Sequence, residues 1–420
     1  MKTLTDNKTQ YILGIQHMLA MFGATVLVPI QTGMDPTIAL LGAGLGTLVF
    51  HYITGGLVPV FLGSSFAFIS ATYFILHNEG LGAVKGGIIV TGLIYVLMSF
   101  IIKLVGVEKV KSFFPPLVNG AIIILIGLRL SPVALYMAGY YIQENGMMSI
   151  DTHSFILSSV VVITMILTVT MSKSFLKLIP ILISITVGFI VAFIMDYFFG
   201  TNFVNTSAIA EASWIGFSQN TIESLLTVPT FSISAMLAIA PISIVVFMEH
   251  IGDMTTNGSV VGKNFFEKPG IHRTMLGDGL ASIVSGILGG PVTTTYSENT
   301  GVLAVTKAYD PKILRIAAIY TVILSFFGKF GAIIQNIPTP IMGGISIILF
   351  GMIASMGIRT LSENSIDFTH PRNLVIVSTV LVVGSGISNV QISDTLSVSG
   401  LAIAGILGIT LNKILPSQES

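Results

Sequence analysis

The sequence contains no cysteine. That excludes disulfides, thiolate nucleophiles and cysteine-held metals. Charge is scarce as well: 9% of the residues are Asp, Glu, Lys or Arg, against about 25% in a soluble domain. So few charges cannot cover a water-facing surface. The 19 acids balance 19 bases, and this zero net charge offers no basic face to nucleic acid. The seven His are scattered, with no two at metal-ligand spacing in a polar setting, so neither metal nor other cofactor is expected. No Ser–His pairing, His-rich metal motif or phosphate-binding loop points to an enzyme. The Gly-x-x-x-Gly instances, such as Gly42 to Gly46, read as helix-packing spacers. What the chain has in abundance is apolar sequence, with 53% hydrophobic residues and a mean hydropathy of +0.90. Its solvent is membrane lipid. The polar start, Met1 to Gln10, leads into an apolar run without a small-residue cleavage site, which we read as a first span and not as a removed leader.

Apolar runs of crossing length, roughly 20 residues or fewer where broken, fall near 11–32, 37–54, 58–76, 83–105, 115–133, 154–171, 176–199, 230–252, 274–290, 292–307, 313–333, 337–357, 372–388 and 396–414. The expectation is an all-α polytopic membrane protein with fourteen transmembrane segments in the cell membrane. Lys and Arg collect in cytoplasmic loops. With both termini in the cytoplasm the division is 16 to 3, and only Lys85, Arg129 and Lys329 fall on the other side. The hydrophilic stretch from Asn202 to Pro229 is then outside and joins two halves.

Those halves, residues 11–201 and 230–415, echo each other. Pro116, Gly120, Leu125 and Gly127 return as Pro340, Gly344, Leu349 and Gly351, each 224 residues later. Gln16-His17 aligns with Glu249-His250, and Tyr95, Ser99 and Phe100 with Tyr320, Ser325 and Phe326. Seven spans per half is an odd number, so the second half enters the membrane inverted. Inverted repeats with discontinuous elements mark secondary transporters, whose substrate sits at the midplane. The discontinuities are Leu62 to Ser70 in span 3 and Gly289 to Ser297 in span 10. The second combines two Gly, a Pro and a β-branched run, a poor helix. Extended backbone at membrane depth must be buried in protein or line a cavity. Two short antiparallel β-strands, each followed by a half-helix with free amides, are therefore expected at the centre, a cradle for a planar, polar heterocycle. The plainer reading is two kinked spans packed closely through Gly.

Acids within apolar sequence are functional candidates by default. Glu249 and Asp253 lie four apart on one helix face, a candidate proton-carrying pair, with His250 pointing elsewhere. Glu298 opens the half-helix after the second broken span, where the positive helix end favours an anion able to accept from substrate N–H groups. His17 is a polar partner for these acids or is satisfied locally. Asp278, between two Gly, is read as structural at a span end, and Arg129 as snorkelling outward. Phe66 and Tyr296 flank the cradle and are placed to stack on a flat ring or simply to pack.

These motifs resemble the nucleobase/ascorbate transporter family. Its signature is similar to Glu298-Asn299-Thr300-Gly301, continued to Thr306-Lys307; its first-span Gln-His resembles Gln16-His17, and its eighth-span Glu-His resembles Glu249-His250. The stretches from Phe22 to Pro29 and Leu62 to Ser70 look like bacterial uracil permeases in particular. The resemblance implies proton-coupled uracil uptake by alternating access. It also implies a core domain of spans 1–4 and 8–11 (about 11–105 and 230–333) and a gate domain of spans 5–7 and 12–14 (about 115–200 and 337–415), with dimers often formed through the gate. Carried over residue by residue, Glu249 and Glu298 match the base-binding glutamates, Phe66 the strand residue whose backbone meets the base, and Tyr296 and Ser297 the stretch before the second glutamate. Glu249, Asp253 and His17 are the proton-coupling candidates. An acid at Glu298 favours uracil over purines, where Gln is usual. The chain departs from the pattern twice: Asp253 stands where these permeases carry His, and Ser297 where Gly is usual. The alternatives are a purine or xanthine permease of the same family and a non-coupled channel, which the lack of a ring of like charges disfavours.

Overall fold

A computed structural model describes residues 7–111, 115–143, 146–387, 389–393 and 396–416. It is mostly helical, as apolar sequence at membrane depth must be, because a helix satisfies its own backbone. Among the described residues eight helices are long and apolar enough to cross a membrane, or nine if the Pro311–Ser325 and Gly328–Gln335 pair, bent by 85°, counts as one span. Pro371–Gly386 and Gly400–Ile414 are apolar but shorter. The last apolar run begins differently from the expectation: Leu396–Ser399 is a strand, and the helix starts only at Gly400. That strand pairs with Asn389–Ser393. Another hairpin joins Tyr140–Ile142 to Met148–Ile150. The apolar-run reading placed neither.

Helices pack in two groups. Ile271–Leu288 lies against Leu81–Val105 and Pro36–Ile53, and Pro311–Ser325 against Pro36–Ile53 and the first helix, Asn7–Thr32. In the second group Thr339–Glu363 packs on Pro116–Arg129 and Thr152–Met171, and Pro371–Gly386 on Gly400–Ile414. In each group backbones nearly touch where helices cross. A Cβ on Gly92 would stand 2.6 Å from the Gly279 carbonyl oxygen, and one on Gly357 2.6 Å from that of Gly120. Small residues at such crossings replace the hydrophobic driving force that lipid removes.

The connector forms two short helices, Thr206–Glu211 and Gln219–Leu226. Two of the three cations that break the charge pattern hold its carbonyls. Lys85 is fully buried, and its ammonium donates to the carbonyls of Thr227 at 2.8 Å and of Leu225 and Ile287 at 3.3 Å. Lys329 donates to Ile209 and Ala210. Thr221 donates to Asp35 at the head of the Pro36–Ile53 helix. The connector is thus fastened to the first helix group.

Candidate functional site

At the centre, Leu62–Ser64 and Thr293–Thr295 pair antiparallel, with Leu62 opposite Thr295, Gly63 opposite Thr294 and Ser64 opposite Thr293. The ladder continues through Ser65 N–H to Val292 and Tyr296 N–H to Phe61, both 2.9 Å. A two-stranded ribbon leaves outer edges unpaired, and water is not there to satisfy them. Hydroxyls from neighbouring helices do so: Thr47 accepts from Leu62 N–H at 2.9 Å, and Ser282 from Thr293 N–H at 3.2 Å. Ser64 donates to the Thr25 carbonyl.

Tyr296 explains Gly63. The phenol ring lies where a Cβ on Gly63 would be, 2.3 Å from its carbons, and its hydroxyl donates to the Ser64 carbonyl at 2.8 Å. The ring is buried beneath the strands and holds them together. Past each strand comes a helix without a side-chain cap: Phe66–Phe68 leading into Ile69–Glu79, and Ser297–Thr306. Neither start is capped by the side chain of its N-cap residue, which leaves first-turn amides beside the strand ends.

The acids arrive on Ser243–Val261. That helix buries Phe247, His250, Ile251 and Met254 and leaves Glu249, Gly252 and Asp253 on an open face. Asp253 accepts from the Thr295 hydroxyl at 2.8 Å and from the Ser297 hydroxyl at 2.5 Å. Its two oxygens thereby bridge the second strand and the start of the half-helix. Asp253 and Ser297, the two departures that the resemblance implies, touch each other. Glu249 lies within electrostatic reach of Asp253, Glu298 and Asp278. Glu298 is half-buried and Ser297 exposed. Asn257 fixes the half-helix by donating to Thr300 and to the Pro59 carbonyl.

The structure thus gathers Glu249, Asp253, Ser297 and Glu298. Phe66 heads the opposite half-helix and lines a pocket with Ile242, Ile126 and Arg129. Arg129 is half-buried there. His17 is buried against Asn299, whose amide donates to its Nδ1 and carbonyl, both at 3.1 Å; its neighbour is the residue after Glu298. Asp278 is not at a span end: it is fully buried within Ile271–Leu288, 2.8 Å from His250. Sequence reasoning missed this contact, and it missed Thr295 as the acid's partner. The alternation of a strand carried the signal for Thr295, which shares a face with Thr293. Among the described residues no group of three or more His, Asp or Glu is placed to hold a metal ion. Carboxylates, hydroxyls and uncapped amides around one open face suit a small planar ligand with both donors and acceptors.

Comparison with known proteins agrees with that chemistry. The uracil permease of Bacillus caldolyticus is 42% identical, over 97% of this chain and 92% of its own. The uracil permease of Escherichia coli K12 is 39% identical, over 96% and 90%. The fold resembles the transmembrane domain of a cyanobacterial bicarbonate transporter, BicA, with a TM-score of 0.65 and 12% identity over 96% of both chains. Residues 8–393 match the model of the Permease family. With relatives named as transporters and not as enzymes along nearly its whole length, this multi-pass membrane chain belongs to that family, the nucleobase/ascorbate transporters.

Proposed function

We propose that the protein takes up uracil with a proton across the cell membrane by alternating access. Fourteen segments in two inverted sevens, with both termini cytoplasmic, form a core of spans 1–4 and 8–11 that rocks against a gate of spans 5–7 and 12–14. Uracil lies at the strand pair. Glu298 accepts ring N–H bonds, first-turn amides donate to the carbonyls, and Phe66 contributes backbone and ring. Glu249, carrying the proton, donates to a carbonyl. Asp253 is the partner of Glu249 and is held as an acceptor by Thr295 and Ser297. Tyr296 serves by locking the strands, and His17 acts through Asn299 beside Glu298.

The observation that carries this reading is the junction itself. Asp253, one turn from Glu249, is hydrogen-bonded to the strand and the half-helix that present Glu298. The naming of two relatives as uracil permeases supports the substrate. Moving one charge through 100 mV releases about 2.3 kcal/mol, enough to concentrate a neutral base on the order of tens-fold. The test is uptake into proteoliposomes with an imposed proton gradient, comparing uracil, thymine and xanthine. Gradient-dependent uracil uptake that Glu298→Ala abolishes is expected. Wild-type uptake by Glu298→Ala would overturn the site, and preferred uptake of xanthine would favour the purine reading.

A further inference from the structure

Behind the acids lies a buried cluster with no part in the scheme above. His250 sits next to Glu249 in sequence but faces away, toward Ile271–Leu288. Both His250 and Asp278 are fully buried. The ring's Nδ1 is 2.8 Å from Asp278 Oδ2, and its Nε2 is 2.8 Å from Thr274 Oγ1. When Thr274 gives its one hydroxyl proton to the Ile271 carbonyl 3.1 Å away, its oxygen is free to accept. Toward His250 the Thr274 oxygen is then an acceptor, so Nε2–H donates. A carboxylate can only accept, so Nδ1–H donates as well. In that arrangement both nitrogens carry hydrogen, and the ring is an imidazolium. Charge balance agrees: an ionised Asp278 beside a neutral ring would be an unpaired buried charge, which protein interiors do not tolerate.

We propose that His250 and Asp278 form a permanent buried ion pair that positions Glu249 and Asp253 against the second strand and does not carry the transported proton. His250 acts electrostatically on Asp253, and Asp278 on Glu249. Each acid of the transport pair thus faces one member of a pair that is neutral as a whole. Tyr95 completes the surroundings; its buried hydroxyl has no hydrogen-bond partner among the described residues and feels the charges of Asp278 and Glu249. A ring with both nitrogens bonded has no lone pair to receive a proton. Mechanically, the pair ties the helix that carries the acids to the helix that runs, through Gly289-Gly290-Pro291, into Thr293–Thr295. His250 and Asp278 are positioning residues, and their role rests on the transport reading.

The protonation state is read by nitrogen NMR of the full-length protein in lipid discs, with the His250 signals assigned by their loss in His250→Gln. Two protonated nitrogens, unchanged across the pH range of uptake, are expected. One deprotonated nitrogen overturns the proposal. In uptake assays His250→Gln and Asp278→Asn each break the pair and should lower uptake on the order of a hundredfold or more. In the double variant the Gln amide can donate to the Asn carbonyl oxygen. It should recover to within about tenfold of wild type, with the pH profile of uptake unmoved. Wild-type uptake by His250→Gln alone, or a folded double variant as impaired as the single ones, overturns the proposal. The NMR result is independent of Glu298→Ala, so failure of the transport reading and failure of the ion pair are distinguishable.

Discussion

Replacing Gly63 by Ala places one carbon where the strand pair has no room for it. The Cβ would meet Tyr296 ring carbons at 2.3 Å and Thr25 Oγ1 at 2.7 Å. Tyr296 cannot swing aside, because its ring is 4% exposed and its hydroxyl is bonded to Ser64. Nor can the strand retreat, since Gly63 is paired with Thr294. Overpacking a buried site costs about 1–3 kcal/mol, and displacing the phenol loses a hydrogen bond contributing about 1 kcal/mol. The sum is about 2–4 kcal/mol. If it falls on the binding geometry, uracil affinity drops roughly 30- to 700-fold; if on the fold, the melting temperature drops. Gly351→Ala is the control, because Gly351 lies in Thr339–Glu363 with nothing within 4 Å of the new Cβ. That change should leave binding intact and stabilise the helix by about 1 kcal/mol. Equilibrium binding of labelled uracil and thermal unfolding, both on purified protein, separate the two routes. A Gly63→Ala protein with wild-type affinity and wild-type melting would refute the claim that Tyr296 holds the strands through Gly63.

Three further outcomes are expected. Ser297→Gly removes one of the two hydroxyls bonded to Asp253; hydrogen bonds to charged groups contribute about 1.5–3 kcal/mol, and the exposure of Ser297 reduces this to roughly a tenfold loss of uracil affinity. Unchanged affinity in Ser297→Gly combined with Thr295→Val would show that the clasp holds nothing. Lys85→Met leaves three carbonyls without their donor and should cost about 3 kcal/mol, seen as a lower melting temperature with the helical circular dichroism retained. Asp151 caps Thr152–Met171, and its side-chain and backbone hydrogen bonds with Ser154 hold its carboxyl below the ordinary value of 3.8. A depressed acid contributes stability that is present above the unfolded value and lost as pH falls through the folded one. The protection factor of the Ser154 amide should therefore fall only below about pH 4, and Asp151→Ala should lower it at neutral pH; protection in that variant equal to wild type at neutral pH would count against the cap.

Much of the site is written locally. A Gly-Gly-Pro followed by β-branched residues cannot continue a helix, and acids four apart share a face, so both features can be read without a partner. What pairs with them cannot. The His250–Asp278 contact joins residues 28 apart on two helices, and no period within either helix selects it. For Tyr296 the sequence leaves stacking and packing equally open, because an aromatic beside a cradle can face either way; only the position of Gly63 decides. Lys85 and Lys329 were exceptions to a charge count, because such a count does not know that a cation can cap carbonyls. At Leu396–Ser399 an apolar average hid a strand, since Leu396 and Val398 alternate with Ser and hydropathy windows do not register a period of two.

The contact between Asp253 and Ser297 has a meaning for ancestry. Because the hydroxyl of one supports the carboxylate of the other, the two substitutions form a single heritable unit. An ancestor acquiring Ser297 first would pass through a tolerable intermediate, with a hydroxyl that Asp253 could later engage, whereas the reverse order leaves the acid with Thr295 as its remaining hydroxyl donor of the two. Transplanted into a permease with the family's usual pair, Ser297 alone should accordingly be tolerated, Asp253 alone should fail, and both together should succeed.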